Sequence, residues 1–212
     1  MASLASLADS VVAGEIEKVQ QQVQELLDEG VKPLDIINEG LIAGMNIVGP
    51  RFKAGEMFVP EVLVAAKAMA MGVEIVRPLI SDKELFSNGK VVLGTVKGDL
   101  HDIGKNLVGM MMESSGLEVI DLGVDVAPEK FVAAVKEHRP DILALSALLT
   151  TTMPKLQDTI EAVAAADLRE QVKIIVGGAP VTAEYAETIG ADGYAPDAAS
   201  ASELCLGLIN GR

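Results

Sequence analysis

Tryptophan is absent, aromatic residues make up 3% of the chain, and its 212 residues include one cysteine and two histidines. With so few rings, the core must be filled by Val, Leu, Ile, Ala and Met. The single cysteine, Cys205, cannot form an internal disulfide and falls in an apolar helical pattern. That usage fits a reducing compartment, and a cytoplasmic location is expected. His101 and His138 alone are too few for a zinc site, which wants roughly three or four protein ligands. No apolar run approaches the roughly 20 residues needed to cross a bilayer. Residues Met1 to Asp9 lack both a basic segment and a sustained apolar stretch, so no signal peptide is expected. Positive charge is scarce as well. A formal net charge of −14 repels a duplex or an anionic membrane surface, so neither nucleic acid nor membrane is expected as a partner.

What is present is apolar and periodic. Half of the residues are hydrophobic, enough for a sizeable core in one large domain or two small ones. Residues 1 to about 80 read as helical. Ile16, Val19, Val23, Leu26 and Leu27 recur at three- and four-residue spacing, and Gly30 stops that run. A second long helix opens at Pro33, and Gly49 to Gly55 is expected to interrupt it as a loop. A third starts near Pro60 and carries Val62, Leu63, Ala66, Met69, Val73 and Val76. With a short opening helix, this predicts a four-helix bundle over residues 1–88. The polar stretch Ser81 to Gly89 reads as a linker, placing a second domain at 89–212. There the period changes. Val91–Val96, Val119–Leu122, Ile142–Ala147, Ile174–Val176 and Gly193–Ala195 are strand candidates alternating with helices. Such alternation predicts an α/β, flavodoxin-like (Rossmann-like) domain with a five-stranded parallel sheet.

In that layout three unusual loops share the carboxyl edge of the sheet, where open α/β folds bind ligands. The first is Lys97 to Asn106 and contains His101. The second runs from Ser146 to Thr152 and is dense in small hydroxyls. The third is Gly177-Gly178, where missing side chains let a ligand approach the backbone. A lone loop histidine is usually just solvated, but Asp99 stands two residues before His101. It can accept from the imidazole Nδ1–H, fix the tautomer and leave Nε2 free for a metal. The hydroxyls at 150–152 can orient Asp99 in turn. Any metal here must bring its other ligands with it, as a macrocycle does.

Three rival readings fail on residue counts. A metal-dependent phosphohydrolase of the HD type needs more histidines, and His138 beside Arg139-Pro140 reads as a charge-compatible helix C-terminus. A phosphate loop would need Gly98 and Gly104 one residue closer, and Ser or Thr after Lys105 where Asn106 stands. A receiver domain would carry Asp, not Ser146, after its third strand.

The arrangement Asp99-x-His101-x-x-Gly104, then 41 residues, Ser146-x-Leu148, then 28 residues, Gly177-Gly178, resembles the cobalamin-binding fingerprint of base-off, His-on corrinoid proteins. The stretch Arg51 to Val62 is similar to the helical cap of methionine synthase and of the small corrinoid proteins of methyltransferase systems. The resemblance implies that His101 is the lower axial ligand of cobalt, with Asp99 and Thr152 completing the relay. Thr152 stands where the family commonly has Ser. By the same resemblance Ser146, Leu148, Thr150, Gly177 and Gly178 line the slot for the displaced nucleotide tail. Asp102, Ile103 and Gly104 lie close under the corrin, while Phe52, Val59 and Val62 cover its upper face.

The activity so implied is that of a methyl carrier binding methylcobalamin or a related corrinoid. It takes the methyl group from a substrate-specific methyltransferase whose donor is a methylamine, methanol or an aryl methyl ether. It yields the group to a second methyltransferase acting on tetrahydrofolate or coenzyme M, and a reductive activator is the further partner. Isomerases of the wider family need a catalytic barrel for which there is no room, and light-sensing repressors need a basic DNA-binding module. Cobalamin storage or sensing without transfer is the alternative function.

Overall fold

A computed structural model describes residues 2–80 and 88–211, so most of the expected linker at 81–89 lies outside the described residues. The chain divides into two compact units, Met1–Ser87 with Glu113–Gly116, and Asn88–Met112 with Leu117–Arg212.

The first unit is helical: α1 (Leu4–Val12), α2 (Ile16–Asp28), α3 (Pro33–Asp35), a π-helical stretch (Ile36–Ile42), α4 (Ala43–Lys53) and α5 (Val59–Val76). A capping box starts α1: Ser3 Oγ accepts from the Ser6 amide at 3.1 Å, and Ser6 Oγ accepts from the Ser3 amide at 2.9 Å. The three- and four-residue apolar spacing of α2 turns Val19, Val23 and Leu26 inward, where they are buried with Leu7, Val11, Ile37, Leu41 and Val48. The stretch from α3 through α4 runs without a break, so the loop expected over Gly49–Gly55 is corrected. Helix continues to Lys53 with Pro50 inside it, and turn structure begins only at Ala54. Proline removes one backbone donor, but the bonds that follow are intact: the Ala54 amide donates to the Pro50 carbonyl at 2.9 Å. Glu61 then opens α5 by accepting the Phe58 amide at 2.8 Å.

The second unit is the expected alternation. Strands β1 (Lys90–Thr95), β2 (Glu118–Asp121), β3 (Ile142–Ser146), β4 (Lys173–Gly177) and β5 (Gly193–Ala195) form one parallel sheet in the order 2-1-3-4-5. Helices α6 (Ile103–Glu113), α7 (Pro128–His138), α8 (Pro154–Ala165), α9 (Ala183–Thr188) and α10 (Ala198–Asn210) lie between and after the strands. Alternate strand residues feed two cores. Val92, Leu143, Leu145, Ile174 and Val176 pack with Phe131, Leu156 and Val163. Val91, Leu93, Ile142, Ala144 and Ile175 pack with Met112, Leu117 and Cys205. Cys205 is fully buried, and burial pushes its thiol up to about 12. One buried cation ties α6 to the sheet: Lys105 Nζ pairs with Asp121 and donates to Asn106 Oδ1 at 2.7 Å.

Candidate functional site

Register brings the three unusual loops to one edge. Thr95, Ser146 and Gly177 are partners across β1, β3 and β4, so the residues that follow each emerge side by side. The loop after β1 turns at Gly98, whose φ of +81° is a left-handed value that favours glycine. Thr95 Oγ1 steadies its far side by donating to the His101 carbonyl at 2.9 Å.

Asp99 is the hub of this edge, only 1% exposed. Its Oδ1 accepts from His101 Nδ1 at 2.7 Å and from the His101 amide at 3.1 Å. Its Oδ2 accepts from the Leu148 amide at 2.7 Å and from Thr152 Oγ1 at 2.6 Å. The Thr152 hydroxyl has one proton, so its closer partner, Asp99, competes with the Leu149 carbonyl at 3.0 Å. Burial pushes the Asp99 carboxyl upward, but the bonds from Thr152, Leu148 and His101 outweigh it and hold the group well below the usual carboxylate range. Asp99 is therefore an anion enclosed by neutral donors.

A carboxylate can only accept, so His101 Nδ1 carries the proton and Nε2 keeps its lone pair for a ligand. The His101 side chain is half exposed. No group of three or more His, Cys, Asp or Glu side chains able to hold a metal ion occurs among the described residues. The donor offered here is a single imidazole nitrogen, which would suit a metal that brings its remaining ligands with it.

Around this pair the edge is apolar. Leu100 and Ile103 are 72% and 73% exposed, and Leu148 and Leu149 are 38% and 41% exposed, values unusual for large apolar side chains. Asp102 is exposed and accepts from Asn106 Nδ2 at 3.3 Å, and a methyl group built on Gly104 meets no atom within 4 Å. Ser146 is half-buried, and Thr150 is exposed in the turn before α8. Gly178 has φ +122°, and a Cβ there would stand 1.9 Å from the Ala147 carbonyl oxygen. Chain approach between the β3 and β4 exits demands that glycine before any ligand does.

Phe52, Val59 and Val62 belong to the helical unit. Phe52, near the end of α4, and Val59, the first residue of α5, are half-buried, whereas Val62 is fully buried. Phe58 between them is 68% exposed. Sequence reasoning passed over Phe58, Leu100 and Leu149, although an apolar residue inside a polar loop was a usable signal. Leu148, expected to line the slot for the nucleotide tail, also reaches Asp99 through its main-chain amide.

Comparison with known proteins agrees over nearly the whole chain. Two forms of the B12 binding domain match, one at residues 89–203 and the other at residues 4–77. A corrinoid protein of Desulfitobacterium hafniense is 44% identical over 207 residues, 96% of each chain. Dimethylamine corrinoid protein 1 of Methanosarcina acetivorans is 45% identical over 93% of each chain. Among solved structures, the methanol:cobalamin methyltransferase complex MtaBC of Methanosarcina barkeri aligns with a TM-score of 0.87 and 30% identity, over 97% of this chain and 79% of that one. This chain belongs to the B12-binding corrinoid proteins.

Proposed function

We propose that this chain is a methyl carrier that binds a corrinoid base-off with His101 on cobalt. In this reading it receives the methyl group from a substrate-specific methyltransferase and presents it to a second methyltransferase acting on tetrahydrofolate or coenzyme M. The bound corrinoid supplies a cobalt centre that can accept and release a methyl group. The observation that carries the reading is the enclosed pair: His101 Nδ1 lies 2.7 Å from a buried, charged Asp99, which leaves Nε2 available to a ligand.

The residues divide the work. His101 holds the metal, Asp99 fixes its tautomer, and Thr152 with the Leu148 amide fixes Asp99. With the corrinoid bound, His101 would hold the metal through Nε2, and the Asp99 anion would stabilise positive charge developing on the imidazole. Its other donors are neutral, so no competing cation offsets that stabilisation. Ser146, Thr150, Gly177 and Gly178 line the slot for the cofactor's nucleotide tail, and Asp102, Ile103 and Gly104 with Leu148 lie against the cofactor. In residues 1–88, Phe52, Val59 and Val62 supply apolar cover, while residues 89–212 form the cobalamin-binding domain. Names of relatives support transfer over storage, since they refer to dimethylamine corrinoid proteins and to a methanol:cobalamin methyltransferase complex. Methylamines, methanol and aryl methyl ethers are the donor classes, and a reductive activator is the third partner.

The test reconstitutes the chain with cobalamin, reduces it, and offers each donor class with its methyltransferase while the visible spectrum is followed. One class is expected to restore the methyl-loaded spectrum and to support transfer onward. Failure of every donor would leave a binding protein only. His101→Ala is expected to weaken cobalamin retention by at least about tenfold and to change the spectrum. An unchanged spectrum sinks the ligand assignment.

A further inference from the structure

The loop that carries His101 is fastened from outside by a residue with no part in the relay. Beyond β2, whose pairing with β1 ends at Asp121, the segment 123–126 runs alongside the end of β1. The Thr95 amide donates to the Gly123 carbonyl at 3.0 Å, and the Val126 amide donates to the Thr95 carbonyl at 3.0 Å. A parallel bridge joins Val96 and Val126. Within this segment Asp125 adopts φ +53°, a left-handed value that few residues other than glycine, Asn and Asp take readily. From that position it grips the turn at two points. Its carboxylate Oδ1 accepts the Gly98 amide at 2.8 Å, and its own amide donates to the Asp99 carbonyl at 2.9 Å. Lys97 Nζ also lies 3.0 Å from Oδ1.

We propose that Asp125 is a positioning residue for the cobalt ligand: it closes the 97–99 turn and thereby holds Asp99 and His101 in the ligating arrangement. The proposal rests on the reading of His101 as that ligand. Gly98 is free to take many backbone conformations, so the turn needs an external restraint before Asp99 can meet its four donors together. The bond from the Gly98 amide to the Asp125 carboxylate and the bond from the Asp125 amide to the Asp99 carbonyl provide it. The Lys97 pair does not, because both side chains are largely exposed, at 53% and 41%, and such pairs contribute little. The Gly98 amide first, and the Lys97 ammonium after it, hold the Asp125 carboxyl below its ordinary range.

Three variants separate these contributions. Asp125→Gly removes the acceptor without adding strain at a positive φ. Asp125→Asn keeps an acceptor and tolerates the backbone, and Lys97→Ala removes only the charge pair. Each is reconstituted with cobalamin, and the visible spectrum is used to measure the fraction of cobalt with histidine bound. Apo-protein denaturation is measured alongside. Asp125→Gly is expected to raise the histidine-off to histidine-on ratio about fivefold. Asp125→Asn and Lys97→Ala are expected to stay within about twofold of the parent. Apo-protein stability is expected to move little in all three, because water can replace the lost acceptor at an exposed amide.

An unchanged ratio in Asp125→Gly overturns the proposal. So does an Asp125→Asn or Lys97→Ala effect as large as that of Asp125→Gly, since the acceptor would then not be the cause. A loss of apo-protein stability that accounts for the spectral change also overturns it, by making the role merely structural. His101→Ala serves as the control. If its spectrum matches the parent, the ligand reading itself fails; if it changes while Asp125→Gly does not, only the positioning role fails.

Discussion

Two carboxylates in loops at the ends of the same sheet are both held below the ordinary carboxylate range, and their surroundings differ in kind. At the carboxyl edge Asp99 is enclosed by a hydroxyl, two amides and an imidazole. At the opposite edge Asp192 accepts the Ile174 amide at 2.8 Å and pairs with Arg169 at 2.8 Å and Lys173 at 3.1 Å. Burial opposes both charges, and the Ile174 amide and the two cations outweigh it at Asp192. The cations there neutralise the carboxylate and knit β4 to β5. Asp99 has no cation among its donors and so keeps its charge unneutralised. The nature of the partners, more than the depth of burial, separates these two carboxylates.

The sharpest test of that distinction is Asp99→Ala. It strands the Leu148 and His101 amides, leaves the Thr152 hydroxyl only the Leu149 carbonyl, and is expected to cost about 3 kcal/mol in urea denaturation of the apo-protein. Histidine ligation should be lost in the spectrum of the cobalamin-loaded protein at the same time. Asp192→Ala is expected to cost about 1 to 2 kcal/mol while leaving that spectrum unchanged, because it sits at the other end of the strands. A spectral change in Asp192→Ala would break the comparison. Thr152→Val, which keeps the shape and removes the hydroxyl, should cost about 1 kcal/mol and shift the spectrum partway, with Thr152→Ser near the parent in both.

Acid gives the smallest and most gradual effect. Both carboxyls are depressed in the folded state, so their contribution is complete above the unfolded carboxylate value of about 4. It is lost as pH falls through the still lower folded values. Urea midpoints measured down to about pH 3 should therefore decline less steeply in Asp192→Ala than in the parent. Equal slopes would show that Asp192 contributes nothing to acid sensitivity.

Much of the sheet unit was legible because its signals are periodic. Short apolar strands alternating with helices determine a parallel sheet, and the 2-1-3-4-5 order follows from the number and length of the units. The helical unit was less transparent at Pro50, which reads as a break but sits inside α4 because proline costs only its own donor and the surrounding apolar face is still buried. The site divides along the same line. Asp99, His101 and the hydroxyls of the 146–152 loop announce themselves by residue type. The Leu148 amide and the bond from the Gly98 amide to the Asp125 carboxylate do not, because each donor is a main-chain group without side-chain identity and its partner lies 49 or 27 positions away. Gly178 shows the converse: its identity was visible, but the need for it comes from the neighbouring chain at Ala147.

The sealed state of Cys205 has a practical consequence for measuring this protein. Its thiol is inaccessible and resists deprotonation, so alkylating probes pass it by in the native state. A cysteine introduced on each unit in turn would be the sole site of modification. One such cysteine on each unit, labelled as a pair, would report inter-unit distances in the free and cobalamin-loaded protein without any background substitution.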